Sequence, residues 1–170
     1  MVKIEDYIAS YPDFPKKGIL FRDMGPLLAS PEAMSFAVEQ FYNALAPLNP
    51  DGFVGIESRG FLFSTLLAQQ FETGSYIVRK PGKLPGELIA ETYDLEYGTN
   101  TLTAQKSLDV NGKRLVLVDD LLATGGTVKA ASSLIKRLGG NPVALAAVIH
   151  LEALPGAEVI EMPLIKLVTY

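Results

Sequence analysis

The 170-residue sequence contains no cysteine and a single histidine, His150. Without thiols it has neither disulfides nor a thiolate nucleophile or metal ligand. One imidazole excludes metal centres built from several histidines. Apolar residues are plentiful, yet no run approaches the ~20 needed to span a bilayer. The formal charge of −4 lacks the basic excess that non-specific binding to nucleic acid or anionic membrane needs. The opening MVKIEDYIASYPDF carries acids and early prolines where a signal peptide would carry an apolar segment. Also missing is GxxxxGK[ST], so no lysine enters a glycine turn to pair with a nucleoside triphosphate. These absences lead us to expect a soluble, cytoplasmic protein with one full core, without nucleic-acid or membrane partners, and too short for two typical domains.

What is present is concentrated in Arg114–Thr127, RLVLVDDLLATGGT. Leu115-Val116-Leu117-Val118 reads as a strand buried on both faces. Asp119 and Asp120 follow, then the small-residue loop Ala123-Thr124-Gly125-Gly126-Thr127. Beyond it Val128, Ala131, Ile135 and Leu138 recur at helical spacing. Such a turn aims backbone N–H groups, a helix dipole and two threonine hydroxyls at one point, which suits a phosphate. Ionised carboxylates accept hydrogen bonds and donate none, so the adjacent acids suit sugar hydroxyls. Together they fit a ribose 5-phosphate. Taken singly, an acid pair or a glycine turn is more often an ordinary strand end and helix cap.

The remaining pattern alternates strands with helices. Ile4, Tyr7, Ile8 and Tyr11 predict a short amphipathic helix stopped by Pro12 and Pro15. Ser30-Pro31-Glu32 is a helix start, with Met34, Val38, Phe41 and Leu45 as its buried face. Phe53–Ile56 reads as a strand, Phe61–Phe71 as an apolar helix, and Ser75–Arg79 as another strand. Arg79–Gly86 is a basic irregular loop. Residues 87–106 are strand-like but polar, with few anchoring aliphatics, and predict an exposed, mobile β-hairpin. Pro142–Leu151 and Ile165–Thr169 complete a mostly parallel, doubly wound α/β sheet flanked by helices. Ligands of such sheets sit beyond the strands' carboxyl ends at the switch point. Glu57–Gly60, Arg79–Lys83 and Asp119–Thr127 all fall there. His150, ending an apolar strand, reads as structural.

The Val116–Thr127 string (VLVDDLLATGGT) resembles the phosphoribosyl-diphosphate (PRPP) motif of type I phosphoribosyltransferases. Four further stretches resemble the adenine phosphoribosyltransferases in that family's order: Tyr11–Pro15, Gly18–Asp23 (GILFRD), Ser58–Phe63 (SRGFLF) with Arg79–Gly86 (RKPGKLPG), and Tyr93–Gly98 (YDLEYG). The resemblance implies one phosphoribosyltransferase domain over 1–170, with a base-binding hood at about 1–30, a flexible lid at about 87–106 and the PRPP motif at 115–127. It implies a homodimer of purine salvage that uses Mg²⁺ to join adenine to PRPP, giving AMP and pyrophosphate.

Residue by residue, the resemblance assigns Asp119 and Asp120 to the ribose hydroxyls, with the metal reached mainly through water and substrate. Ala123, Thr124, Gly125, Gly126 and Thr127 would cradle the 5′-phosphate. Glu57, Ser58, Arg59, Arg79, Lys80 and Lys83 would bind pyrophosphate, some of the cations across a dimer interface. The Glu57–Ser58 peptide can be cis in this family, some members of which have aspartate at the position of Glu57. Phe21 would stack on adenine, and the backbone of Leu20 and Arg22 would read its edge. Glu96 would be the catalytic carboxylate handling the base's proton, with Tyr97 beside it on the lid. A transferase for a 6-oxopurine and a non-catalytic PRPP sensor are the alternatives. GILFRD and YDLEYG oppose the first, and the absence of a DNA-binding module or basic face opposes the second.

Overall fold

The structure, a computed structural model, describes residues 2–95 and 98–170. Backbone contacts divide the chain into two compact units, residues 1–40 and 41–170. In the first unit Ile4–Tyr7 forms a single 3₁₀ turn, followed by β1 (Ala9–Pro12) and β2 (Leu20–Asp23). The expected amphipathic helix is therefore replaced. One turn is too short to hold a helix by itself, and Ala9-Ser10-Tyr11-Pro12 instead pairs antiparallel with β2, Tyr11 opposite Phe21. The connection carries Asp13 at φ 59° and a cis Phe14–Pro15 peptide. A short α1 (Gly25–Ala29) precedes α2 (Pro31–Leu45). Ser30 caps α2, its hydroxyl accepting from the Ala33 amide at 3.2 Å. The fully buried line of α2 is Ala33, Ala37, Phe41 and Leu45, with Met34 and Val38 only half-buried.

The second unit is a five-stranded, all-parallel sheet with the order β4-β3-β7-β8-β9. Its strands are β3 (Gly52–Ile56), β4 (Gly74–Val78), β7 (Arg114–Leu122), β8 (Asn141–His150) and β9 (Leu164–Thr169). From β3 the chain moves outward to β4, then returns to the other side of β3 as β7. The switch point is thus the gap between β3 and β7.

Each face of the sheet is covered by a helix, which is why the central strands have no polar face. Beneath α3 (Gly60–Gln70) the packing is aromatic: Phe41 and Phe63 meet edge-on at 6.4 Å, and Phe53 meets Phe71 at 5.1 Å. Against α4 (Gly126–Arg137) it is aliphatic, with Val54, Ile56, Leu115, Leu117, Leu145 and Ala147 facing Ala131, Leu134 and Ile135. A short α5 (Gly156–Val159) precedes β9.

The predicted hairpin is present as β5 (Leu88–Leu95) and β6 (Gly98–Gln105), which pair antiparallel. It is better anchored than its polar sequence suggests. Leu102 and Ala104 are buried in the aliphatic core, and Ile89 and Tyr93 pack against that core. Thr103 bridges to Arg79 through both backbone groups, at 2.7 and 3.0 Å. Two buried apolar residues and one backbone bridge suffice to root the hairpin, a signal that alternation alone dilutes.

α3 reaches its place because Gly60 has no side chain. A Cβ there would run into the carbonyl oxygen of Val118 on β7. Backbone against backbone leaves no flexible group to yield, so Gly60→Ala has to displace α3 from the sheet. We expect a loss of about 2 kcal/mol or more, read as a lower denaturant midpoint at unchanged slope.

Candidate active site

β3 and β7 end side by side at the switch point, and the groups following them converge. The Glu57–Ser58 peptide is cis. Arg59, just ahead of α3, directs its guanidinium Nε to the Asp120 carboxylate at 2.5 Å. β7 continues as strand through both acids to Leu122, farther than the apolar run alone indicates. Asp119 and Asp120 are each only 9% exposed, and the Asp120 amide donates to the Asp119 carboxylate at 2.9 Å. Burial, above all, pushes the Asp119 carboxyl well above its ordinary value, and the neighbouring Asp120 charge adds to the shift; Arg59 opposes both.

The chain then turns through Ala123–Gly125 into α4. Gly125 adopts φ 83°, and a Cβ there would strike Val159 and the Gly156 carbonyl. Only glycine meets both demands. The first helical bond runs from the Lys129 amide to the Gly125 carbonyl at 2.9 Å, which leaves the amides of the first turn aimed outward. Arg59, Asp119, Asp120, Ala123, Thr124, Gly125 and Thr127 line one cavity of about 280 Å³. Its lining thus combines two carboxylates and a guanidinium with an anion-ready helix start.

The basic loop is held beside the loop after β3 by Glu57. Its carboxylate accepts from the Lys80 amide at 2.8 Å and from two Arg79 guanidinium nitrogens at 3.3 Å. Burial would raise Glu57, but the Lys80 amide and the Arg79 guanidinium outweigh it and hold the carboxyl below its ordinary value. The acid in this loop is therefore spent on organising cations. Arg79 also lies over the Phe61 ring at 5.7 Å and reaches the Lys83 carbonyl at 3.3 Å. Ser58, Lys80 and Lys83 are exposed.

Within the first unit, Phe21 and Phe14 meet edge-to-face, centroids 5.1 Å apart at 75°. With Tyr11, Pro12, Asp13 and Asp23 they line an apolar cavity of about 580 Å³. Leu20 and Arg22, two apart on β2, turn their backbone groups toward the same edge. The Arg22 guanidinium donates to Ser10 at 2.7 Å, while Asp23 accepts from the Gly25 amide at 2.9 Å. Glu96 and Tyr97 lie outside the described residues.

Three residues without an individual role at the site in the sequence reading take one up in the structure. Phe14 and Tyr11 join Phe21, for which two aromatics within YPDFP were a usable sign. Tyr93 meets Thr127, which no spacing could reveal because 34 residues separate them.

A phosphoribosyltransferase domain model matches residues 27–165, so the chain belongs to that class of protein. The sequence is 47% identical to the adenine phosphoribosyltransferase of Nitrosopumilus maritimus over 155 residues, 91% of either chain. The crystal structure of the Thermoanaerobacter pseudethanolicus adenine phosphoribosyltransferase matches with a TM-score of 0.95 at 40% identity over 98% of both chains. That of Saccharomyces cerevisiae, complexed with an imino-altritol bisphosphate and adenine, matches at 0.91 and 36%, over 97% of this chain and 96% of that one. The family is that of the adenine phosphoribosyltransferases.

The acid pair carries a consequence for stability. Because the folded pKa of Asp119 lies above its unfolded value, the native chain holds this proton more tightly than the unfolded one. Its contribution is complete below the ordinary carboxylate range and is lost as pH rises through the folded pKa. Asp119→Asn keeps an acceptor for the Asp120 amide and cannot ionise. We expect the unliganded variant to melt higher than the parent at pH 8, with the gap closing toward pH 4. Equal melting curves at every pH would refute this.

Proposed function

We propose that the protein transfers the 5-phosphoribosyl group from PRPP to adenine, releasing pyrophosphate and forming AMP. The observation that carries this reading is the single cavity uniting the buried acid pair, Arg59 and the threonine-bearing helix start. It offers acceptors for ribose hydroxyls and donors for a 5′-phosphate in one place. The yeast relative's complex with adenine and a bisphosphate supports the same ligand classes.

In the reaction the purine nitrogen's lone pair forms the new C–N bond at the anomeric carbon. The C–O bond electrons leave with pyrophosphate, through an oxocarbenium-like state. Asp119 and Asp120 hold the 2′- and 3′-hydroxyls. Ala123–Thr127 fix the 5′-phosphate through amides and the hydroxyls of Thr124 and Thr127. Arg59 has five N–H donors, enough to serve Asp120 and a pyrophosphate oxygen together. Arg79, Lys80 and Lys83 add positive charge, and Ser58 lies on the same pyrophosphate loop.

Among the described residues no cluster of three or more acids or histidines could cage a metal. Two adjacent carboxylates suit Mg²⁺ held largely by substrate oxygens and water. Bound there with PRPP, Mg²⁺ would supply charge neutralisation for the departing diphosphate.

Residues about 1–30 serve as the base-binding hood, with Phe21 stacking on adenine in the cavity that it shares with Phe14 and Tyr11. A backbone carbonyl of Leu20 or Arg22 accepts from the 6-amino group; a 6-oxopurine would set two acceptors against each other, which buried sites reject strongly. Glu96 takes the proton that adenine loses. The lid formed by residues about 87–106, to which Tyr97 is assigned, keeps water from the ribosyl cation. We place this salvage step in the cytoplasm. No helix among the described residues is long and apolar enough to cross a membrane.

We also assign a homodimer. Leu62 and Leu66, one turn apart on α3, are 45% and 36% exposed, in the helix that begins at the pyrophosphate loop. A second copy covering them would bring its own basic loop near the site.

Adenine, hypoxanthine and guanine offered in parallel with PRPP and Mg²⁺ test the reading. Adenine alone should yield nucleotide; product from a 6-oxopurine instead would overturn the base assignment, and none from any base would overturn catalysis. Glu96→Gln should lower kcat about 10²–10⁴-fold with little change in the KM for PRPP. Leu62→Asp should shift the sedimentation coefficient toward that of one chain, and an unchanged value would rule out this dimer face.

A further inference from the structure

Tyr93 plays no part in the chemistry above, yet it occupies a defined place at the phosphate loop. It lies half-buried on β5, its ring against the aliphatic core. Its phenol oxygen accepts the Thr127 hydroxyl proton at 3.1 Å. A Cβ on Gly126 would meet the Tyr93 ring at 3.2 Å and the Asp94 carbonyl at 3.3 Å, so β5 crosses directly over the first turn of α4. At the far end of α4, Arg137 donates to the Ala90 carbonyl at 2.8 Å and the Glu91 carboxylate at 3.0 Å. The strand is thereby clamped to the helix at both ends, and one clamp passes through a phosphate-loop hydroxyl.

We propose that Tyr93 is a positioning residue for the 5′-phosphate, acting through Thr127, and that phosphate binding tightens the β5–β6 hairpin on α4. This rests on Thr127 being a 5′-phosphate ligand, as read above. A hydroxyl has one proton and two lone pairs. In the unliganded chain Thr127 gives its proton to Tyr93. A phosphate oxygen only accepts, so binding turns the Thr127 proton toward the ligand. The pair then survives only if Tyr93 reverses and donates its own proton to the Thr127 oxygen. The result is a directed chain from phenol to hydroxyl to anion, in which each bond polarises the next. A phenylalanine would fill the same space and could not complete it.

The test compares wild type, Tyr93→Phe, Thr127→Ala and the double variant. Affinity for ribose 5-phosphate is read by calorimetry, KM for PRPP and kcat by turnover, and hairpin protection by hydrogen exchange over residues 88–95. Tyr93→Phe should weaken ribose 5-phosphate about fivefold, the scale of one neutral hydrogen bond. It should raise the KM for PRPP by a similar factor and leave kcat within about twofold. The double variant should bind no more weakly than Thr127→Ala alone, since one chain is cut twice. Ribose 5-phosphate should slow exchange over 88–95 in wild type and fail to do so in Tyr93→Phe. Wild-type affinity and protection in Tyr93→Phe would overturn the proposal, as would losses that multiply in the double variant. Equal binding of ribose 5-phosphate by wild type and Thr127→Ala would instead overturn the 5′-phosphate assignment, and the role of Tyr93 with it.

Discussion

Two carboxylates in succession at the buried end of β7 set the terms for everything around them. Removing Asp119 from water raises the free energy of its charged form, and the Asp120 charge beside it raises it again. The chain answers with one guanidinium, that of Arg59 on Asp120, and with a proton retained more firmly on Asp119. Arg59 can answer only because it stands at the head of α3, and α3 stands there only because Gly60 lets its backbone approach the Val118 carbonyl. The glycine after the arginine is thus part of the electrostatics. It decides where a positive charge can be while having none.

The loop at Ala123–Thr127, proposed above to hold the 5′-phosphate, is shaped from both sides in the same way. Gly125 is pressed by Val159 and Gly156, and Gly126 by Tyr93 and Asp94. The two glycines face different neighbours, α5 on one side and the hairpin on the other. Each would resist a side chain for its own steric reason. The loop therefore does not rely on phosphate to acquire its form, and amides already aimed need no reorganisation when an anion arrives. α5 is tied into the sheet at both ends, following β8 and leading into β9, and the hairpin is rooted by Leu102, Ala104 and the Arg79 bridge.

The sequence was most legible where local pattern and chemistry coincided. The parallel sheet, both long covering helices and the convergence of Arg59, Asp119, Asp120, Thr124 and Thr127 follow from runs of aliphatics, glycine turns and one motif. Boundaries shifted by a residue or two, as between the expected Phe61–Phe71 and the observed Gly60–Gln70, because hydrogen bonding and not apolarity sets where an element begins and ends. The first residues misled for a different reason. Ile4, Tyr7, Ile8 and Tyr11 have helical spacing, but β pairing with Leu20–Asp23 satisfies more backbone groups than one helical turn can. Glu57 and Tyr93 show a third limit. The partners of Glu57 are 22 and 23 residues away and that of Tyr93 is 34 away, so their side-chain roles arise only from the folded register.

The charge distribution resolves an apparent conflict between an acidic chain and anionic ligands. Net charge governs the distant field, but a site is governed by the groups within about a Debye length of 8–10 Å. Here Arg59 is engaged by Asp120, and Arg79 and the Lys80 amide by Glu57. These acids do not simply cancel the cations. They hold them in place in a region that a substrate phosphate can share, and a guanidinium with five donors can serve two anions at once. Side-chain freedom that a solvated arginine would lose on binding has already been lost on folding. The acids around this site are therefore better understood as fixtures for its positive charge than as opponents of it, and the overall sign of the chain says little about what the site attracts.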